Sequence, residues 1–428
     1  MSQLLDAQAQ QNGTRFLIYS QNKKLEGFEH PEVVFINAQP GSIKAGPEDD
    51  KIYVIDAKDK REYRFEGEGP PYNGPRFPPV QPDAQGHFDY IDPNDRAFSS
   101  MTMYATVRRV LDIWESYFGH PINWFFHRDF PKLELIPRVE WDNAHSGYGF
   151  LEFGFGRNAD GSIDHTNPYC ENFDVLAHET GHTIKNCTIG QPRSGQETDE
   201  YHGHHEAFGD LVAIVSSLHF NSVIDHLLKN TKGNLFSVNE LSRVGELSTA
   251  REIRKAFNNK KMSDVGSEPH DLSEPFTGGA FDVLVEVFQD ILIEGGLISK
   301  ELGKQAYDAH FEEVPNVQKE FEQQYRGKEE EFKKALLDAR DYFGKLMAGA
   351  WSKTSAEGLR YWKVMKNMMD IDQQLSGGKY KQAIQSCFDW REIKEDAIDR
   401  PFLKTHIVDE LAAISNVGNA GTSEFLQK

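Results

Sequence analysis

Between Thr14 and Gly67 the chain alternates short apolar runs with clusters of Gly, Pro, Asp and Asn. The runs TRFLIYS, EVVFINAQ, KIYVIDAK and REYRFEG are rich in β-branched and aromatic residues, and this pattern predicts four short strands. From Gly67 to Pro93 the text turns to GEGPPYNGPRFPPVQPDAQG, which predicts an extended connector. Residues 1–93 are therefore expected to form a small β-rich N-terminal unit. At Arg96 the period changes. Met103, Val107, Val110, Leu111, Trp114 and Phe118 recur at three- and four-residue steps, so a helix is predicted from Arg96, closed by Gly119. LELIPRVEW and YGFLEFGFG read as strands, and RNADGSIDHTNPYCEN as a loop from which Asn172 or Asp174 starts the next helix.

The rest is mostly helical in pattern. AFGDLVAIVSSLHF predicts a helix over about 204–220, followed by short amphipathic helices and loops over 221–276. Phe281, Leu284, Val285 and Phe288 share one face of a helix from Gly278 to Leu292. Residues 298–348 are strongly charged and helical, which is the pattern of solvated helix faces. Another helix is expected over about 354–374, FDW at 388–390 as core, and NVGNAGTSEFLQK as a frayed tail.

One stretch carries chemistry. His178 and His182 in His178-Glu179-Thr180-Gly181-His182 leave the same helix face, the spacing at which two imidazoles hold one zinc ion. Glu179 sits one step round the helix, beside the metal, where a carboxylate can accept a proton from water. The best third ligand is Glu206, at the start of the following helical run. Gly190, Pro192, Gly195 and Gly203 let the chain turn back between the two helices. Asp210, one turn beyond Glu206, is placed to accept the second ring N–H of a ligand histidine. His202, His204 and His205 are rivals to Glu206, and His205 is also a candidate to line the cleft. Two imidazoles, a carboxylate and one open position make a catalytic zinc site rather than a closed structural one.

FDVLAHETGHTIKN followed by HHEAFGDLVAI resembles the thermolysin-like zinc metallopeptidases of the gluzincin group. The resemblance runs from about Arg96 into the 390s. It implies an α+β, zincin-type catalytic domain of two lobes, with the zinc helix at their junction. On that reading 1–93 is the N-terminal unit, 94–190 the α/β lobe and 191–428 the mostly helical lobe. It implies Zn2+ as cofactor, His178, His182 and Glu206 as ligands, Asp210 behind them and Glu179 as general base. His270 in GSEPHDLSEPF, expected in a loop before a helix, resembles the family's histidine that stabilises the transition state, with Asp264, Glu268 or Asp271 as its acidic partner. Asn143 and Ala144 resemble the residues that bind substrate main chain. An extended substrate would then add along YGFLEFGFG. Arg251, with Arg243 and Arg254 as rivals, would grip the substrate carbonyl, and Tyr201 is the candidate cleft tyrosine. Asp174 matches a calcium-ligand position, but its counterpart is Ser217, so calcium at that double site is not expected. The function implied is hydrolysis of peptide bonds, as an endopeptidase. The alternatives are an exopeptidase of the same group, whose Gly-x-Met-Glu-Asn string does not occur here, a zinc-stabilised binding protein without turnover, and hydrolysis of a non-peptide amide.

Charge and composition narrow the partners. Against 47 Lys and Arg stand 67 Asp and Glu, a net charge of −20, so a polyphosphate such as nucleic acid is an unfavoured partner. No run approaches the roughly 18 apolar residues of a membrane span. The N-terminus shows no basic and then apolar signal pattern. Cys170, Cys187 and Cys387 have neither disulfide-framework nor zinc spacing, and Cys187, five residues after His182, is expected as a buried spectator. These features lead to the expectation of a cytoplasmic protein, or one exported without a recognisable signal. Family members are typically secreted with a propeptide that residues 1–93 do not match.

Overall fold

A computed structural model describes residues 2–64, 68–236, 243–244, 254–255, 258–308 and 314–395. The chain begins with a helix the apolar pattern does not announce, α1 (Ser2–Asn12), then strands β1 (Thr14–Ile18), β2 (Glu32–Ile36) and β3 (Ile52–Val54). REYRFEG makes no strand over its described residues 61–64. The long helix α2 (Arg96–Phe118) follows the predicted bounds. Asp95 caps it by accepting from Ala97 N, and Gly119 ends it at φ 76°, a left-handed turn that suits glycine. Then come β4 (Leu133–Ile136), β5 (Ala144–Gly147), β6 (Phe150–Phe153), β7 (Phe155–Arg157) and β8 (Ile163–Pro168).

The main sheet has the order β3-β4-β6-β5, with β3, β4 and β6 parallel and β5 antiparallel to β6. This corrects the expected substrate strand. The YGFLEFGFG run supplies β6, which is paired on both sides by β4 and β5. Among the described residues the edges are β3 and β5, and the one next to β6 is β5, which begins at Ala144. A period-two apolar pattern shows that a segment is a strand but not where it stands in the sheet.

The helical part contains α3 (Phe173–Thr188), α4 (Asp199–Ser217), α5 (Asn221–Thr231), short strands β9 (Arg243–Val244) and β10 (Arg254–Lys255), α6 (Pro269–Glu294), α7 (Lys300–Asp308), α8 (Val314–Tyr325), α9 (Glu329–Ser352), α10 (Tyr361–Ser376) and α11 (Lys381–Trp390). The fold is thus mixed α+β, a small sheet region with a helical bundle. Three helices differ from their expected bounds. Helix α4 starts earlier because Thr198 caps it, accepting from Tyr201 N. Helix α6 starts nine residues before Gly278 because Glu268 caps it and Pro269 stands in its first turn, where a missing N–H is harmless. The helix expected from about 354 begins only at Tyr361. Of FDW, Phe388 is fully buried but Trp390 is 43% exposed. Arg251 and the C-terminal NVGNAGTSEFLQK lie outside the described residues.

A single apolar cluster joins Leu5, Phe16 and Ile52 of the N-terminal segment to Trp114 of α2, Phe208 of α4, Phe281 of α6 and Trp351 of α9. Lys60, Tyr63 and Tyr72 also bond to the sheet through Glu134 of β4 and Glu152 of β6. There Glu134 accepts from Tyr53 and Tyr63 Oη at 2.7 Å each, and Glu152 accepts from Lys60 and from Tyr63 N. Cys170 and Cys387 are buried, while Cys187 is partly buried against the core. No single described helix is long and apolar enough to cross a membrane.

Candidate metal centre

Helix α3 is buried through Asn186, so its polar residues face protein rather than solvent. Asn172, with its side chain accepting from Asp174 N, fixes where the helix begins and hence which face His178 and His182 occupy. Both histidines and Glu179 are fully buried. One ligand atom from each lies within 4.8 Å of the others, a group that could hold a metal ion.

Helix α4 crosses α3 at two glycines. A Cβ on Gly181 would meet Gly209 Cα at 2.8 Å, and a Cβ on Gly209 would meet the His178 ring at 2.7 Å. That close approach brings the carboxylates of α4 onto the imidazoles of α3. Glu206 Oε2 is 3.4 Å from His178 Nε2, and Glu206 Oε1 is 3.8 Å from His182 Nε2. Asp210 Oδ1 lies 2.9 Å from His178 Nδ1. The two imidazoles stand nearly perpendicular, at 85° with centroids 4.4 Å apart.

These distances test whether a metal fits. Two ligands each 2.0–2.1 Å from a tetrahedral zinc ion stand about 3.4 Å apart. With the His178 Nδ1 proton given to Asp210, Nε2 presents a lone pair to a carboxylate oxygen at that separation. Two acceptors at this distance repel one another, and a cation between them turns the repulsion into coordination. The donor set of two imidazole nitrogens and a carboxylate suits zinc.

His270 joins the same centre from α6. It sits in the first turn of the helix rather than in the loop before it, and the side chain is a quarter exposed. Its Nε2 lies 3.4 Å from Glu206 Oε2 and its Nδ1 2.7 Å from Glu268 Oε1. Of the three acids considered as its partner, Glu268 is the one the fold supplies. Burial alone would raise the Glu268 pKa, but the hydrogen bond and charge of His270 outweigh it and hold the carboxyl below its ordinary value. Glu268 also caps α6 through Asp271 N, so one side chain both starts the helix and orients the imidazole.

Asn143 and Ala144 stand where the edge strand begins. The Asn143 carboxamide oxygen accepts from Ala144 N at 2.9 Å, and Ala144 pairs with Phe153. Strand β5 is tied to the metal helix by Ser146 Oγ and Thr183 Oγ1 at 2.9 Å, one residue past His182. Tyr201 is directed elsewhere, since its hydroxyl donates to Gly190 O at 3.1 Å. Asp174 accepts from Gln21 Nε2, and the Ser217 hydroxyl donates to Ile214 O.

The three histidines before Glu206 behave differently from one another. His204 is buried among aromatic rings, with Phe276 at 5.1 Å, and burial pushes its pKa well down. Burial lowers that of His202 to about 4. The His205 ring lies flat on that of His182, at 4.0 Å and 5°. Sequence reading passed over Lys185. It stands three residues after His182 on the same helix face and is fully buried, and only its unusual charge in a buried helix could have flagged it.

No protein-family model matches the chain, and no curated protein matches it in sequence. Among solved structures the fold is similar to the precursor of protealysin, a metalloproteinase from Serratia proteamaculans. Sequence identity is 11%, coverage is 84% of this chain and 91% of that one, and the TM-score is 0.47. That likeness is too loose to assign chemistry to any residue here.

Proposed function

We propose that the chain is a zinc-dependent metallopeptidase of the thermolysin-like, gluzincin kind, cleaving internal peptide bonds between an α/β lobe and a mostly helical lobe. The observation that carries this reading is the convergence of His178 Nε2, His182 Nε2 and the Glu206 carboxylate at metal-ligand spacing, with Asp210 behind His178. His178, His182 and Glu206 would hold the ion. Zinc, when bound, supplies a Lewis acid that lowers the pKa of water and polarises a carbonyl. Glu179 offers a carboxylate oxygen within 4.8 Å of the ligand atoms of both histidines. Its carboxylate accepts the proton from the attacking water and returns it to the departing amine. As an imidazolium, His270 donates from Nδ1 to Glu268, which aims the ring at the centre, and from Nε2 to the oxygen that gains charge. An extended peptide would lie against β5, with Asn143 and Ala144 holding its main chain. Asp210 fixes the His178 tautomer.

The experiment is metal analysis of the purified chain together with cleavage of a quenched-peptide library blocked at both ends, with and without a chelator. About one zinc per chain and cleavage that the chelator abolishes and zinc restores are expected. Bound zinc with no turnover on any peptide would leave a binding protein. Cleavage only of peptides with a free terminus would make the protein an exopeptidase.

A further inference from the structure

A fully buried lysine is rare, because its ammonium loses hydration and seldom finds enough partners in exchange. Lys185 is such a residue, at 0% exposure. Its Nζ lies 3.2 Å from Tyr201 O, 3.3 Å from His205 Nδ1 and 3.5 Å from the centroid of the Tyr201 ring. The contact with His205 has a consequence. With Lys185 donating to Nδ1, the remaining ring proton of neutral His205 sits on Nε2, and the ring plane is fixed. That plane lies against the His182 ring at 4.0 Å and 5°.

A ligand imidazole must hold its lone pair on the ion to within about 10–20°. Asp210 does this for His178 by a hydrogen bond at 2.9 Å. We propose that Lys185 is a positioning residue for His182, acting through His205, whose ring it clamps flat against the ligand ring so that His182 Nε2 stays aimed at the metal centre. Lys185 touches neither metal nor substrate on this proposal. The proposal rests on the metal-centre reading above.

The test compares stability with metal affinity. In Lys185→Met an apolar chain of similar length relieves the cost of burying an ammonium but leaves Tyr201 O and His205 Nδ1 without that donor. The melting temperature of the full chain is therefore expected to change little. Zinc affinity, from competition with a chelator of known strength, is expected to fall about tenfold or more, as for other outer contacts of metal ligands. Cobalt substituted for zinc should show shifted visible bands, reporting a turned ligand. His205→Ala should lose affinity similarly, and so should His205→Phe, which keeps a flat ring but has no nitrogen to accept from Lys185. Affinity for Lys185→Met within about twofold of the parent would overturn the proposal, set against the tenfold effect expected of such contacts. So would a loss that only tracks a lower melting temperature, or a His205→Phe chain that binds zinc as tightly as the parent. If the parent binds no zinc, or His182→Ala binds it equally well, the metal-centre reading fails instead.

Discussion

At the scale of single residues, Glu206 and Glu179 are distinguished by what each can do without moving. Glu206 comes from another helix and meets both imidazole Nε2 atoms, at 3.4 and 3.8 Å. Glu179 shares the histidines' helix and adjoins them. Glu179→Gln is expected to keep about one zinc per chain and to lower turnover by about 10²–10⁴-fold, the range for loss of a general base. Full activity in that variant, measured on the same preparation as its metal content, would remove Glu179 from the mechanism. His270→Ala should lower kcat by about 10²–10³-fold with zinc retained, since it takes away a donor to the oxyanion and no ligand. Steady-state kinetics decide it, because a change confined to KM would mean that His270 only binds substrate.

Among elements, the α3–α4 crossing decides whether there is a site at all. His178 and His182 share a helix face by period alone, but Glu206 reaches them only because Gly181 and Gly209 let the two backbones come together. Gly209→Ala places a methyl group against the His178 ring. It is expected to cost about 1–3 kcal/mol of stability, as overpacking usually does, and to weaken zinc binding as well. Urea unfolding and metal titration of this variant check both, and an unchanged zinc affinity would show that the crossing has slack. The histidine spacing, the Asn172 cap and the Gly119 stop were legible in sequence because each depends on a few neighbouring residues. The order of the sheet was not, since the alternation of YGFLEFGFG is the same for an edge strand as for a central one. The start of α6 was missed because the search for apolar periodicity outweighed the Glu268 and Pro269 signals, and that error left His270 in a loop.

Across the whole molecule, four histidines, two buried and two partly buried, give a pH dependence with a definite sign. His202 is lowered by burial to about 4, as is His219, and His204 and His205 are lowered well below the ordinary 6.5. As pH falls through 6.5 the unfolded chain takes up these protons first, so it binds more protons than the folded one and stability falls. The contribution is complete above about 6.5 and is lost progressively as pH falls towards 4. Asp282 and Glu286, whose pKa values burial raises, act in the opposite direction but start from carboxylate values near 4. Between pH 7 and 5 the histidines therefore dominate. The urea midpoint, measured with chelator present so that metal release does not contribute, is expected to be lower at pH 5. An equal or higher midpoint there would mean that these rings are already charged in the fold.

Taken alone, the sequence determined which residues could share a helix face: His178 with His182 and Glu206 with Asp210, because a helix repeats every 3.6 residues whatever surrounds it. It also determined the caps and stops that need only local chemistry. The tertiary structure decided which carboxylate faces which imidazole, which acid holds His270, which strand forms the sheet edge, and that a buried lysine lies behind His205. Each of these depends on two segments far apart in the chain meeting within a few ångströms, and that distance is set by packing between helices and strands, which no local pattern encodes.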